Sequence, residues 1–324
     1  MTASVAIVIV NWNTGRYLQA CLEAVAKADA DGYRLASVCV VDNASRDASL
    51  RGVESMPLPL TVIRNPDNRG FAAACNQGAA ATSSEYLLFL NPDTRVYSDA
   101  LARAVAFMES DAAADVGICG AQMVDAAGAR IPCCSRFPTV RVLLGRMTGL
   151  NRLVPALFPA QELSLAETAR SRPVDQVIGA FLLVRRPLFE ALGGFDERFF
   201  LYFEEVDLCY RARAKGFQSY LVTEALAFHE GQVSSKQVRA ERLFQGLRSR
   251  SEFLHQHWPP WRAYLIDVLT LVVELPMRCA VGLASRRPGR VSETTRASAA
   301  FCTYVMSRRT LIRSEHASSE ARVP

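Results

Sequence analysis

Val5-Ala6-Ile7-Val8-Ile9-Val10-Asn11-Trp12-Asn13-Thr14 decides the fold: an unbroken, β-branched apolar run that stops in a cluster of polar residues. A strand with no polar alternation is buried on both faces, as the central strand of a parallel sheet is. The pattern recurs downstream. A helix-like Arg16 to Lys27 is followed by apolar Leu35 to Val41, which ends in Asp42-Asn43-Ala44-Ser45. Then come Leu60 to Ile63, a helix-like, small-residue Ala72 to Ala81, and Tyr86 to Leu90, which ends in Asn91-Pro92-Asp93. Short β-rich runs alternating with amphipathic helices predict a Rossmann-like α/β fold, a mostly parallel sheet with helices on both faces. Ligands of such sheets bind beyond the carboxyl ends of the strands, so the polar clusters are expected to line one cleft.

At 324 residues, 50% hydrophobic and 21% charged, the chain is long enough for one large α/β domain plus an accessory segment, and it lacks the composition of a disordered protein. Its nine cysteines form no CxxC pair and no Cys/His ligand spacing, and several lie in apolar stretches. They read as reduced core residues of a cytosolic protein. The strand-like run begins at Ser4 without a basic n-region or a cleavage site, so the expected location is cytoplasmic, at most at the inner face of the cytoplasmic membrane. The net charge of +5 is unevenly spread. Residues 231–324 hold 15 Lys+Arg against 7 Asp+Glu, and the first 230 hold 22 against 25.

Prolines 132, 138, 155, 159 and 173 mark residues 128–175 as a loop-rich excursion over the cleft. A second structured block runs from Val174 to His229. Arg239 to His257 reads as a helix, which Trp258-Pro259-Pro260-Trp261 breaks. Ala263 to Ala284 is apolar but contains Asp267, Glu274, Pro276 and Arg278, which argues against a membrane span. From Arg286 onward the Arg, Ser and Ala content predicts a partly disordered end. Two domains follow: residues 1–235, catalytic, and residues 236–324, a helical, basic segment. Its interrupted apolar stretch, followed by Arg286, Arg287, Arg290, Arg296, Arg308 and Arg309, suits peripheral contact with an anionic leaflet. A helical subdomain packed on the first domain, or on a second copy in a homo-oligomer, accounts for it equally. No nucleic-acid partner is expected, because these arginines have no aromatic platform among them.

Asp42 closes its strand where a carboxylate reaches a base N–H or a ribose hydroxyl, although one such Asp alone reads as a turn residue. Asn65-Pro66-Asp67-Asn68-Arg69-Gly70-Phe71 is a second polar loop, opening a helix whose small residues would let backbone N–H groups approach a nucleotide. Asp93 follows its strand where it can hold a hard cation against a diphosphate. No GxGxxG follows the first strand and no GxxxxGK[ST] occurs anywhere, against dinucleotide and P-loop readings. The densest cluster is Gly193-Gly194-Phe195-Asp196-Glu197-Arg198-Phe199-Phe200-Leu201-Tyr202-Phe203-Glu204-Glu205-Val206-Asp207-Leu208. Gly-Gly predicts a turn, the aromatics suit a wall for a sugar ring, and carboxylates in a first helical turn are kept ionised by the helix dipole, ready to accept a proton. Asp207 and Arg211 are also an i,i+4 pair that would brace the helix. His229 ends an apolar run beside Gly and Ser and suits a metal or phosphate ligand.

Taken in order, these segments resemble the family 2 glycosyltransferases of GT-A fold, in particular the bacterial rhamnosyltransferase-like branch. The matching stretches are Ile7 to Asn13, Val40 to Ser45, Asn68 to Ala72, Leu90 to Asp93, Gly193 to Asp196 and Tyr202 to Leu208, with His229 beyond, and they span about residues 4–235. The resemblance implies that Asp42 meets the nucleobase, that Asp93 ends a DxD-like motif and binds Mn²⁺ or Mg²⁺ with His229, and that the second acid of the Glu-Asp pair is the general base. That position is Glu205 here, where an Asp is usual, so Glu204 and Asp207 stay alternatives. Asn11, Asn13, Asp42, Asn68, Gly70, Asn91 and Asp196 are the candidate donor-binding residues.

The expected activity is inverting, metal-dependent transfer of a sugar from a nucleotide-diphosphate donor to a hydroxyl of a glycan or polyprenyl-linked acceptor. Rhamnose from dTDP-rhamnose leads, with galactofuranosyl, glucosyl and mannosyl transfer behind it. A nucleotide-sugar-binding protein without turnover is the alternative class. A nucleotidyltransferase is disfavoured because the N-terminus lacks a Gly-rich, Arg/Lys-bearing triphosphate loop.

Overall fold

A computed structural model describes the backbone of residues 2–231 and 239–320, with the side chains of all of these except Pro288 and 309–320. The expected boundary at 235/236, the residues Gln232 to Ser235 and the Arg309 side chain lie outside the described residues. The chain divides into two compact units, Met1–Thr139 with Ala160–Lys236, and Val140–Pro159 with Gln237–Pro324.

In the first unit the elements run β1 (Ala3–Asn11), α1 (Tyr17–Ala26), β2 (Tyr33–Asp42), β3 (Leu60–Arg64), α2 (Phe71–Ala80), β4 (Tyr86–Leu90), β5 (Thr94–Val96), α3 (Ala100–Met108), β6 (Val116–Val124) and β7 (Cys134–Ser135). Helices α4 (Val140–Thr148) and α5 (Leu150–Leu153) belong to the second unit. The first resumes with β8 (Arg172–Val174), β9 (Gln176–Val177), β10 (Phe181–Arg185), α6 (Arg186–Ala191), α7 (Glu204–Ala214) and β11 (Gln218–His229). The main sheet is ordered β3-β2-β1-β4-β10-β6-β11-β5, with β8 on β11, while β7 and β9 form a separate pair. Strands β3, β2, β1 and β4 are mutually parallel, as are β6 and β11. Strand β10 intervenes antiparallel to both β4 and β6.

Every residue of β1 and β4 is buried, so these two apolar runs form the middle of the sheet. Helix α2 lies so close to it that a Cβ on Gly78 would stand 2.4 Å from Val8 Cγ1 and 3.2 Å from Val41 Cγ2. Ala72, Ala73, Ala74 and Ala79 are buried on the same helix. The small residues expected to admit a nucleotide therefore serve close packing of helix on sheet. Of the aromatic run, Phe195, Phe199 and Phe203 are core residues, and Phe195 packs edge-on against Phe89 and Phe189. Only Phe200 and Tyr202 keep partial exposure, so the expected aromatic wall is reduced to two rings.

The second unit contains α4, α5, α8 (Arg239–His257), α9 (Pro260–Leu269), a π turn at Thr270–Glu274, α10 (Leu275–Ala284) and α11 (Pro288–Glu320). Two expectations change here. Two helices, α4 and α5, occupy most of residues 140–153 because the prolines flank them rather than interrupt them, and Val142, Leu143 and Met147 give α4 a buried face. The expected disordered end is helical through 320: Ala297, Phe301 and Val305 are buried, Phe301 and Val305 in one cluster with Leu247 of α8 and Leu275 of α10. Its polar interior is neutralised internally. Arg250, 3% exposed, donates to Glu274 at 2.7 Å and to Thr270 at 2.8 Å, and Asp267 meets His255 at 2.8 Å and Ser251 at 3.0 Å. Among the described residues no helix is long and apolar enough to cross a membrane.

Candidate active site

Parallel pairing sets Asn11 beside Asp42 at the carboxyl ends of β1 and β2. Asn11 is fully enclosed. Its Nδ2 donates to Asp42 Oδ1 at 2.7 Å, to Ser49 Oγ at 2.8 Å and to Ser45 Oγ at 3.1 Å, and its Oδ1 accepts from Thr14 Oγ1 at 2.5 Å. Asp42 Oδ2 accepts from the Ser45 N–H at 3.1 Å. Asn13, at φ 51°, donates its N–H to Ser45 Oγ and accepts from the Arg46 N–H at 2.8 Å. Asp47 closes the two loops together, accepting from the Gly15 N–H at 2.7 Å and from Ser49; partial burial raises its pKa, and these hydrogen bonds outweigh that and hold it below the ordinary value.

The next loop is tied to this one. Asn43 Nδ2 donates to the Gly70 carbonyl at 3.0 Å, and Asn65 Nδ2 donates to Asn43 Oδ1 and Gln77 Oε1, both at 2.9 Å. Asn68 Oδ1 accepts from the Gly70 N–H at 3.0 Å. Gly70, at φ +86°, leaves room for the backbone of Phe200, whose carbonyl accepts from the Phe71 N–H at 2.8 Å. A chain of contacts thus runs from Asp42 to the loop that delivers Glu204.

Helix α7 begins after Tyr202 and Phe203, both at positive φ. Glu204 is buried and Glu205 half-buried; Glu204 Oε2 and Glu205 Oε2 are enclosed oxygens with no hydrogen-bond partner. Desolvation raises the pKa of both carboxyls, and the Glu205 charge raises Glu204 further. Loss of water therefore outweighs the half-charge at the helix end, and both carboxyls sit above the ordinary glutamate value. Asp207 is 0% exposed and accepts from Arg211 Nε at 2.6 Å, while Arg211 also donates to the carbonyls of Leu192 (2.8 Å) and Gly194 (3.0 Å).

Pairing of β5 with the end of β11 brings Asp93 to His229: His229 is the register partner of Thr94, and its Nε2 lies 3.3 Å from Asp93 Oδ1. Among the described residues no group of three or more His, Cys, Asp or Glu side chains is placed to hold a metal. One carboxylate and one imidazole do suit a divalent cation that keeps water and shares phosphate oxygens. Asn91 turns the chain, accepting from the Thr94 N–H at 3.0 Å and donating its own N–H to Ala180. Asp196 is held by Arg198, with Nη2 to Oδ2 at 2.5 Å, and its loop is fixed to α2 through Asn76. A cavity of about 460 Å³ borders Asp93, lined also by Arg16, Tyr17, Arg95, Phe228 and Glu230.

The sequence reading singled out neither Asn65 and Gln77 nor the cavity residues other than Asp93. Asn65 sits in a loop already marked as polar, and Arg95 lies two residues past Asp93. Gln77 carries no local signal, since only the packing of α2 brings it to Asn65.

Acid- and amide-rich loops gathered beyond the carboxyl ends of a mixed sheet, on this strand order, give the chain a GT-A fold. Residues 6–130 match the sequence model of "Glycosyl transferase family 2". The chain is 27% identical over 312 residues to N-acetylglucosaminyl-diphospho-decaprenol L-rhamnosyltransferase of Mycobacterium tuberculosis, covering 90% of this chain and 97% of that relative. Among solved structures it is similar in fold to mannosyltransferase PcManGT from Pyrobaculum calidifontis in complex with GDP-Man and Mn²⁺ (TM-score 0.53, 16% identity, 93% of this chain and 86% of that one). The S. aureus TarS 1-349 structure in complex with UDP-GlcNAc is similar at TM-score 0.52 and 18% identity, over 91% and 81% of the two chains.

Proposed function

We propose that this glycosyltransferase moves rhamnose from dTDP-rhamnose, with inversion, onto a hydroxyl of a lipid-linked glycan at the inner face of the cytoplasmic membrane, with Glu205 as general base. The observation that carries the assignment is the pair of unpartnered carboxylate oxygens in the first turn of α7. Of the three acids there, Glu205 alone combines partial exposure with a raised pKa, while Asp207 is enclosed and clamped by Arg211. A base poised nearer the working pH accepts a proton more effectively in the transition state.

In this reading Glu205 takes the proton of the acceptor hydroxyl as that oxygen bonds to the anomeric carbon from the face opposite the diphosphate. The bond from that carbon to the phosphate oxygen breaks, the nucleoside diphosphate leaves with the electron pair, and a single displacement inverts the centre. Asp42, oriented by Asn11, takes the base or ribose, and the Asn68 to Gly70 loop flanks the nucleotide. Asp93 and His229 are the side chains that would hold Mn²⁺ or Mg²⁺, which supplies positive charge against the departing diphosphate. The cavity at Asp93 has the volume of a small-molecule site, which supports a ligand there.

The test is thermal stabilisation by dTDP, UDP and GDP, each with Mn²⁺ and with EDTA, followed by transfer from dTDP-rhamnose to an N-acetylglucosaminyl-diphospho-polyprenol. A metal-dependent shift with dTDP and a rhamnosylated product are expected. Stabilisation by UDP or GDP alone would redirect the donor to galactofuranose, glucose or mannose. A shift without turnover on any donor would leave a nucleotide-sugar-binding protein.

A further inference from the structure

Helices α9 and α10, joined by the π turn, form one rod of 25 residues from Pro260 to Ala284. Trp261, Leu265, Val268, Val272, Met277, Val281 and Leu283 are exposed along it, Trp261 at 63% and Val272 at 62%. The first four are spaced 4, 3 and 4, one stripe of an α-helix. The next step, Val272 to Met277, is 5. In an unbroken α-helix it would carry Met277 about 100° too far round, toward the buried side. The π turn at Thr270–Glu274 absorbs that extra residue and keeps Met277 and Val281 in line. It does the same for the opposite face, where Ala263, Ile266 and Asp267 precede the turn, Thr270 and Glu274 lie in it, and Leu275 and Gly282 follow it, all buried. An apolar face left bare by chance would need no such correction.

Charge identifies what covers it. Between residues 259 and 291 the only acids are Asp267 and Glu274, both buried. Asp267 is held by His255 and Ser251, and Glu274 by Arg250 and Arg278. Every other charge on this stretch is an arginine: Arg262, whose guanidinium lies 5.1 Å from the Trp261 ring, and Arg286, Arg287 and Arg290 past the far end, all exposed. A two-fold contact with a second copy would set this patch against itself, with no exposed acid on the stretch to answer the arginines. A rod too short in apolar length to cross a bilayer, with a tryptophan at one end and arginines at both, suits the plane of an anionic membrane surface.

We propose that the Trp261 to Leu283 face docks on an anionic phospholipid bilayer, the apolar stripe entering the headgroup boundary and the arginines meeting lipid phosphates. This docking does not depend on which sugar is transferred. The full chain is floated with phosphatidylglycerol vesicles and with phosphatidylcholine vesicles, beside the Leu265→Glu/Val272→Glu variant and the Arg286→Gln/Arg287→Gln/Arg290→Gln variant. Both substituted surfaces are exposed, and unchanged melting temperatures and nucleotide stabilisation verify that each variant is folded with an intact first unit. Native protein should float with phosphatidylglycerol, both variants about tenfold less, and native binding should weaken with salt. Equal flotation of native and variant protein overturns the proposal. So does a native dimer, seen by light scattering, that Leu265→Glu/Val272→Glu converts to monomer without any vesicle binding by the native chain, since the face would then belong to a second copy.

Discussion

Replacing Gly70 with alanine tests whether the proposed donor loop and the carboxylate loop work as one piece. Gly70 sits at φ +86°, ψ 170°, a region essentially reserved for glycine, so alanine there costs about 1–3 kcal/mol in backbone strain. Its Cβ would also stand 2.7 Å from the Phe200 carbonyl oxygen and 3.0 Å from Phe200 Cα, backbone atoms that no rotamer change can remove. Phe200 must move by several tenths of an ångström, which strains the 2.8 Å hydrogen bond from Phe71, worth about 1 kcal/mol. The sum, about 2–4 kcal/mol, corresponds to a fall in Tm of about 5–15 °C for a unit of this size. Phe200 lies four residues before Glu204, so its displacement should misplace the carboxylates and lower kcat/KM about 10–100-fold, measured well below the reduced Tm. Gly128→Ala is the control: φ is +77°, no atom lies within 4 Å of the added Cβ, and a loss of about 1–2 kcal/mol with unchanged kcat/KM is expected. A Gly70→Ala enzyme with native kcat/KM and a Tm matching that of Gly128→Ala would refute the coupling.

Glu205→Gln should keep nucleotide stabilisation and lose about 10²–10⁴ in transfer rate. Because burial raises the Glu205 pKa, activity should fall off on the acid side at a pH above the ordinary glutamate range; a limb at the ordinary value would move the base elsewhere. Asp93→Ala should remove the Mn²⁺-dependent part of the thermal shift with dTDP and leave the EDTA value unchanged, and an undiminished Mn²⁺ effect would exclude Asp93 as a ligand. In the second unit, burial alone would raise Glu274, but Arg250 and Arg278 outweigh it and bring its pKa from 4.5 to about 2. A lowered carboxyl stabilises the fold above its unfolded value, so about 3 kcal/mol should be lost as pH falls from about 4.5 through about 2. Urea melts over that range should show this slope in native protein and not in Glu274→Gln; parallel slopes would count against the pairing.

What the sequence disclosed followed from short-range rules. Uninterrupted runs such as Ile7 to Val10 and Tyr86 to Leu90 identify buried central strands, and the polar residues closing them lie where such sheets place ligands. Strand direction was hidden: Phe181 to Arg185 is apolar like its neighbours, and nothing local says that β10 enters antiparallel between β4 and β6. Burial was hidden where chemistry and packing use the same residues, as at Phe195 and Phe199, which look like a sugar platform and are core. The raised carboxyls at Glu204 and Glu205 were hidden for a related reason, since a helix-end rule is local and desolvation depends on the whole fold. Within the helical segment expected at 236–324, the packing of the helix from Pro288 was hidden because its Arg, Ser and Ala dominate the composition, while the buried apolar residues Ala297, Phe301 and Val305 anchor it.

The distribution of backbone strain bears on where this chain works. Among the described residues, positive φ at non-glycine positions occurs at Asn13, Ala44, Tyr202, Phe203 and Arg286. Asparagine tolerates that region, but alanine and the two aromatics do not, at about 1–2 kcal/mol each. Four of the five lie in the loops after β1 and β2 and before α7, and each is held by surrounding contacts. Asp42 and Ser45 bracket Ala44 with a hydrogen bond, and Ser45 also fixes the N–H of Asn13. The Tyr202 to Phe203 bend lies between fully buried Phe199 and the Asp207–Arg211 clamp, which is anchored on the carbonyls of Leu192 and Gly194. A relaxed loop of ordinary residues would start α7 at a different angle and let water reach Glu204 and Glu205. The strained entry instead begins the helix with one carboxyl enclosed and the next at the margin, and that desolvation is what raises the pKa of a base. Strain, burial and the proposed chemistry therefore coincide at the entry to α7.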